Sequence, residues 1–183
     1  MSLSHITVTK ILRSHGRSMV DIAACHAGQK LLDECRGLEF DYSQKEDVVY
    51  SEILTPEGAP AWMKDRAKLW NAVEQMETRE NAHLAREFII AMPAEFSLVQ
   101  HIQLLKNFCQ NQFVNKGMVA DMSLYLTPAN YPQVRVLLTT RDIRGKGFGF
   151  KSSDWYRDES VSKYQRALAN LTQTISIKSQ GSS

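Results

Sequence analysis

The chain has 183 residues, 43% of them hydrophobic, and a formal net charge of +2. That is enough apolar material for one substantial core, and it excludes a disordered polyelectrolyte. No stretch approaches the roughly 18–20 consecutive apolar residues of a membrane-spanning helix, and Met1–Lys10 lacks the apolar block of a signal peptide, so no membrane insertion is expected. Cys25, Cys35 and Cys109 are unclustered. Reduced thiols and a cytoplasmic location are the expectation, not a zinc cluster.

Charge is distributed unevenly along the chain. Residues 1–30, 31–80 and 81–183 carry net charges of +3, −6 and +5. If the two basic portions meet in space, they form a basic face beside an acidic one, which suits a phosphate backbone. A mixed, solvated surface accounts for the same counts.

Ser4–Leu12 alternates, with Ile6, Val8 and Lys10 on one face and Thr7, Thr9 and Ile11 on the other. Its β-branched content predicts a first strand. Arg13–Ser18 reads as a loop, with Ser18 as an N-cap and Asp21 as the acid three residues on. Met19–Leu32 reads as a helix with Val20, Ala23, Ala24, Ala27 and Leu31 on one side and Cys25 and His26 mid-helix. Gly37–Tyr42 and Val48–Leu54 read as short strands, and Pro56–Pro60 as a turn. A long helix is predicted from Pro60 or Ala61 to about Asn81, its core stripe being Trp62, Leu69, Trp70, Val73 and Met76.

Ala85–Met92 is a strand ending at Pro93. Ser97 caps a helix to about Asn115, with Ile102, Leu105, Phe108, Cys109 and Phe113 on its buried side and Gly117 closing it. Met118–Leu126 and Val134–Thr140 are strands separated by a Pro-rich turn. Gly145–Gly149 is a flexible basic loop, and Ser153 to about Leu171 a final helix. Residues 1–175 form one domain and 176–183 a frayed tail. The order βαββαβαββα predicts an α+β fold, with a mainly antiparallel sheet of about five strands covered by helices.

The stretch Asn130–Arg141 carries the most information. Pro132 sets a turn; Val134, Val136 and Leu138 face one side of the following strand, and Gln133, Arg135 and Leu137 the other. It resembles the metal-binding strand of MobA/MobL-type relaxases, of the histidine–hydrophobe–histidine superfamily. That family's pattern is Asn-Pro-His-Ala-His, two apolar residues, then Leu-Thr-Thr-Arg. Leu138-Thr139-Thr140-Arg141 match it, while Gln133 and Arg135 hold the two histidine places.

Further pieces occur in the family's order. They are Ser-x-Gly-Arg-Ser at 14–18, Asp41-Tyr42, Val48-Val49, Glu52-Ile53-Leu54, and Pro56-x-Gly-Ala-Pro-x-Trp62. Leu69-Trp70-Asn71, Leu84-Ala85-Arg86-Glu87 and Gln112-Phe113-Val114 follow. The last are Gly117-Met118-Val119-Ala120-Asp121 and Gly147-Phe148-Gly149 with Asp154-Trp155.

The resemblance implies a relaxase/rolling-circle-initiator-like fold that binds single-stranded DNA at a transfer origin. It also implies a divalent metal such as Mn²⁺ or Mg²⁺, held by three histidines, and a tyrosine that attacks the scissile phosphate. Type IV secretion or relaxosome proteins are the implied partners.

This chain departs from the pattern at the positions the chemistry uses. The helix motif, usually Ala-Ala-Tyr-Arg-Ala-Gly, is Ala23-Ala24-Cys25-His26-Ala27-Gly28, so Cys25 stands at the nucleophile position. The first metal histidine falls at Tyr125, and the other two at Gln133 and Arg135. Tyr50 stands where relatives often have histidine. Glu87 remains, but the acid often found two places on is Ile89.

Arg135 cannot ligate a metal, because its guanidinium stays protonated. It would put a fixed positive charge about where the metal's belonged, either pairing with Glu87 or gripping a phosphate. Cys25 is either a small core residue or a thiol nucleophile.

The sequence therefore reads as a degenerate relaxase domain that binds single-stranded DNA without metal-dependent nicking and holds no metal of its own. Candidate phosphate contacts are Lys10, Arg13, Arg17, Arg86, Arg135, Arg141, Lys146 and Lys151. Two alternatives stand beside it: a protein-interaction or type IV secretion-associated module on a relaxase scaffold, and an active nicking enzyme with substituted residues.

Overall fold

The computed structural model describes residues 5–127, 129, 131–152 and 161–182. In chain order these form β1 (Ile6–Leu12), α1 (Met19–Ala27), β2 (Lys30–Asp33), β3 (Leu38–Asp41), β4 (Val48–Leu54), α2 (Arg66–Met76) and β5 (His83–Ala91). Then come α3 (Leu98–Gln112), β6 (Ala120–Leu126), β7 (Pro132–Thr139), β8 (Arg141–Arg144), β9 (Gly147–Lys151) and α4 (Val161–Gln180). Five strands make one antiparallel sheet in the order β1-β5-β7-β6-β4. Two separate hairpins, β2-β3 and β8-β9, lie outside it. This is the helix-covered antiparallel architecture that the element order predicts.

Period-two alternation gives the sheet two apolar faces. Phe88 and Ile90 of β5, Met122 and Leu124 of β6, and Val134, Val136 and Leu138 of β7 meet α3 and α4 in one core. Its centre is an aromatic cluster of Phe88, Phe108, Phe113 and Tyr164. The other face, with Ile11, Ile53, Ala85 and Leu137, packs against Met19, Val20, Ala23 and Ala24 of α1 and Leu69, Trp70 and Val73 of α2.

Several boundaries differ from the sequence reading. Helix α1 ends at Ala27 instead of Leu32, because Gly28 takes a left-handed conformation (φ 62°) and bonds back to the Ala24 carbonyl. Leu31 stays buried, but from the hairpin strand β2. The long helix after Pro60 is broken. A 3-10 turn spans Ala61–Lys64, and Asp65 then caps α2 by accepting from the Lys68 amide. Helix α2 ends at Met76, which is exposed, not part of the core stripe.

Ser97 does cap α3. That helix stops at Gln112, and a 3-10 turn leads to Gly117, whose φ of 98° suits a residue without Cβ. Gly145–Gly149 belongs to the β8-β9 hairpin instead of a flexible loop. Helix α4 runs on to Gln180, through residues expected to fray. Ile175 is buried against the α3 side, and Gln100 donates to Ser179 at 2.7 Å. The expected helix start at Ser153, the Asp154-Trp155 piece, and Ser4 and Asn130 lie outside the described residues.

Candidate functional site

The site forms where the C-terminal end of α1 meets β5, β6 and β7. Ser18 starts α1 by accepting from the Val20 and Asp21 amides, and it also donates to buried Asp33. Met19, Ile22 and His26 recur at three- and four-residue spacing and are all buried. This stripe carries the imidazole of His26 onto Glu87, with Nε2 3.0 Å from the carboxylate. Glu87 shares a face with Gln133, Arg135, Ser123 and Tyr125, because register pairs Tyr125 with Gln133 and Ser123 with Arg135.

Tyr125 is buried, and its hydroxyl donates to the backbone carbonyl of His26 and, at 3.4 Å, to that of Cys25. Lys45 also donates to the Cys25 carbonyl at 3.0 Å, and its Nζ lies 3.8 Å from Cys25 Sγ. Both groups satisfy carbonyls that the end of α1 leaves open, and the lysine charge suits the negative end of the helix. Two cations approach the Tyr125 ring, with Lys45 Nζ 5.0 Å and Arg135 Cζ 5.2 Å from its centroid.

Burial pushes the Tyr125 phenol well above its ordinary pKa, against the opposing pull of Arg135. The hydroxyl therefore stays protonated. Burial also acts to raise the Glu87 carboxyl, but His26, Arg135 and Arg17 outweigh it and hold it below the usual glutamate range. Among the described residues, the Glu87 carboxylate is contacted by His26 and not by Arg135, so the first of the two roles foreseen for that arginine is taken by a histidine.

Sequence reasoning missed His26 and Lys45. The spacing of His26 from Met19 and Ile22 was a usable signal. Lys45 sits in a polar connection with none. Tyr50 falls on the opposite face, packed toward α3, with its hydroxyl donating to Glu52.

The eight candidate phosphate contacts separate into groups. Arg135 lies in the site, and the charge of Arg17 acts on Glu87 while its Nε donates to Asp21 at 2.7 Å. Lys10 and Arg86 are register partners on the other face of the sheet, and Arg86 is buried. Lys146 sits in the exposed turn of the β8-β9 hairpin.

Arg13, Arg141 and Lys151 converge instead on the end of α2. Arg13 pairs with Glu74 at 2.9 Å, and Arg141 and Lys151 pair with Glu77 at 2.6 and 3.1 Å. Burial acts to raise Glu77, yet these two cations keep it below its ordinary value. Basic residues from both ends of the chain are thus partly neutralised by the acidic middle portion. They do not form one open basic face.

The three positions that the resemblance assigns to metal ligands supply a phenol, an amide and a guanidinium. The phenol is engaged with helix carbonyls, and the guanidinium has no lone pair to give. Gln133 alone offers an available oxygen, and that set does not fit a divalent ion. Among the described residues, no three or more His, Cys, Asp or Glu side chains are grouped to hold one. What the arrangement offers is a largely buried polar cluster bordered by cations, with the Glu87 carboxylate held by His26.

Comparison with known proteins agrees with this architecture. The sequence profile of the MobA/MobL family matches residues 17–180. The conjugal transfer protein TraA of Rhizobium radiobacter is 34% identical over 161 residues, covering 82% of this chain and 14% of its own length. The probable mobilization protein MobA of Bifidobacterium longum is 32% identical over 151 residues, covering 82% of this chain and 27% of its own. The mobilization protein MobL of Acidithiobacillus ferridurans is 37% identical over 125 residues, covering 68% and 32%.

This chain therefore spans about 14% to 32% of the length of these relatives. A solved structure on the molecular basis of vancomycin resistance transfer in Staphylococcus aureus superposes with a TM-score of 0.87 at 28% identity. It covers 97% of this chain and 94% of its own.

Proposed function

The chain belongs to the MobA/MobL family, and from that premise we propose that it is a mobilisation-related domain that binds single-stranded DNA without metal-dependent nicking. The observation that carries this reading is Arg135, a permanent charge on the strand position where the family pattern has a metal-ligating histidine. Beside it, Tyr125 spends its hydroxyl on the end of α1. A guanidinium attracts a phosphodiester but supplies no Lewis acid and no open coordination position. Lys45 and Arg17 extend the positive border, so the phosphate backbone would dominate affinity and make it fall with salt. The transfer machinery, including type IV secretion components, is the partner class that follows from the family.

The reading is tested by incubating the protein with single-stranded oligonucleotides and Mn²⁺, followed by a denaturing gel. Neither cleavage nor a covalent protein–DNA adduct is expected. Mn²⁺-dependent cleavage would overturn the reading. Cys25 is half-buried with its sulfur beside Lys45, so the assay includes Cys25→Ser. An adduct formed by the wild type and lost in that variant would make the thiol a nucleophile and the chain an active nicking enzyme. Absence of any oligonucleotide binding at low salt would replace DNA binding with a protein-interaction role.

A further inference from the structure

Three buried polar atoms on the site face have no hydrogen-bond partner among the described residues: His26 Nδ1, Ser123 Oγ and Arg135 Nε. His26 and Ser123 are 5% and 1% exposed. Scattered through a core, such atoms would be isolated defects; here they belong to one neighbourhood. Ser123 and Arg135 are register partners on β6 and β7. The Arg135 guanidinium carbon lies 5.2 Å from the Tyr125 ring centroid, and the Tyr125 hydroxyl donates to the carbonyl of His26. The other nitrogen of His26 is held by Glu87.

Buried donors left unmade cost stability, so a cluster of them implies a partner that the protein itself does not provide. Chemistry limits that partner. Arg135 Nε can only donate, and Ser123 Oγ can donate. A group that accepts from both beside a fixed cation is an oxyanion. A cation would meet the arginine charge, and an apolar group would leave every donor unmade. Lys45, 5.0 Å from the centroid of the same Tyr125 ring, adds attraction for an anion.

We propose that Arg135 and Ser123, beside the His26–Glu87 pair, form an oxyanion site that takes a phosphate group without any metal. The guanidinium supplies the charge that a divalent ion would otherwise bring. The site rests on the single-stranded DNA reading for its natural ligand, a backbone phosphodiester; free inorganic phosphate shares the chemistry.

The test is a ¹⁵N-labelled chain in EDTA, with arginine Nε–H resonances followed by NMR during titration with inorganic phosphate and then with a single-stranded oligonucleotide. The Arg135 resonance is assigned by its loss in Arg135→Lys. Phosphate is expected to shift it saturably. Ser123→Ala, which leaves the charge in place, should weaken phosphate binding about five-fold. Dispersed core methyl signals in both variants establish that they fold.

A resonance that does not move with phosphate, or moves only when Mn²⁺ is added, overturns the site. An oligonucleotide that binds with the Arg135 resonance unmoved overturns the site and leaves DNA binding standing. A phosphate response without oligonucleotide binding supports the site and removes the DNA reading.

Discussion

Glu87 and His26 show how one pair can decide the character of a site. Their side chains are 17% and 6% exposed and 3.0 Å apart, so the carboxylate is largely withdrawn from water and must be compensated. Because the carboxyl is held below its ordinary range, an unfolded chain takes up this proton first as pH falls. The pair's contribution is complete above the ordinary glutamate value of about 4.3 and is lost as pH falls through the lowered native value. Glu87→Gln should therefore cost about 3 kcal/mol at neutral pH and flatten the acid side of the stability profile. Urea unfolding from pH 7 down to pH 3 measures both. An unchanged acid limb in Glu87→Gln would show that the pair contributes nothing to it. The same contact directs the Glu87 carboxylate to His26, and Arg135 acts on it only through its charge.

Among the elements, α2 is joined to β6 by a buried network. Arg66 donates to both oxygens of Asp121, with Nε and Nη2 each at 2.9 Å, and the Trp70 indole donates at 2.8 Å. Asp121→Asn keeps the shape but leaves Arg66 buried without its counter-charge. The expected cost is about 3–5 kcal/mol by chemical denaturation. A loss under about 1 kcal/mol would mean that water reaches the arginine, as at an exposed pair.

This network also explains part of what the sequence made legible. Trp70 and Asp121 sit in two of the family-like pieces, and Asn71, next to Trp70, holds the Leu32 carbonyl and the Glu34 amide. Those pieces mark scaffold as much as chemistry. The limits of β4 were readable because the polar link before it and the Pro56–Pro60 turn after it bound a run rich in β-branched and aromatic residues. The end of α1 was not, because Leu31 continues the helical spacing past Gly28, and only the left-handed turn at that glycine sends the chain into a hairpin. In the site, Cys25, Glu87, Tyr125, Gln133 and Arg135 were legible from motif order. The placement of Lys45 against Cys25 and Tyr125 was not, since it depends on how the Tyr42–Asp47 connection folds back over the end of α1.

At the scale of the whole molecule, charge is organised by pairing across the fold. The chain's net charge is only +2, and Arg13, Arg141 and Lys151 are held by Glu74 and Glu77. Little long-range attraction for a polyanion remains. Binding should rest on a few local cations near the end of α1, and the dependence of affinity on salt should be correspondingly shallow, with a slope of about −2 for two to three single-strand phosphate contacts. No helix among the described residues is long and apolar enough to cross a membrane.

The most direct measurement is fluorescence anisotropy of a labelled single-stranded oligonucleotide, titrated at two salt concentrations in EDTA and again in Mn²⁺. Binding that weakens with salt and is the same in EDTA and Mn²⁺ is the predicted result. Binding that appears only with Mn²⁺ would contradict it, because a metal would then be supplying what Arg135 is said to supply.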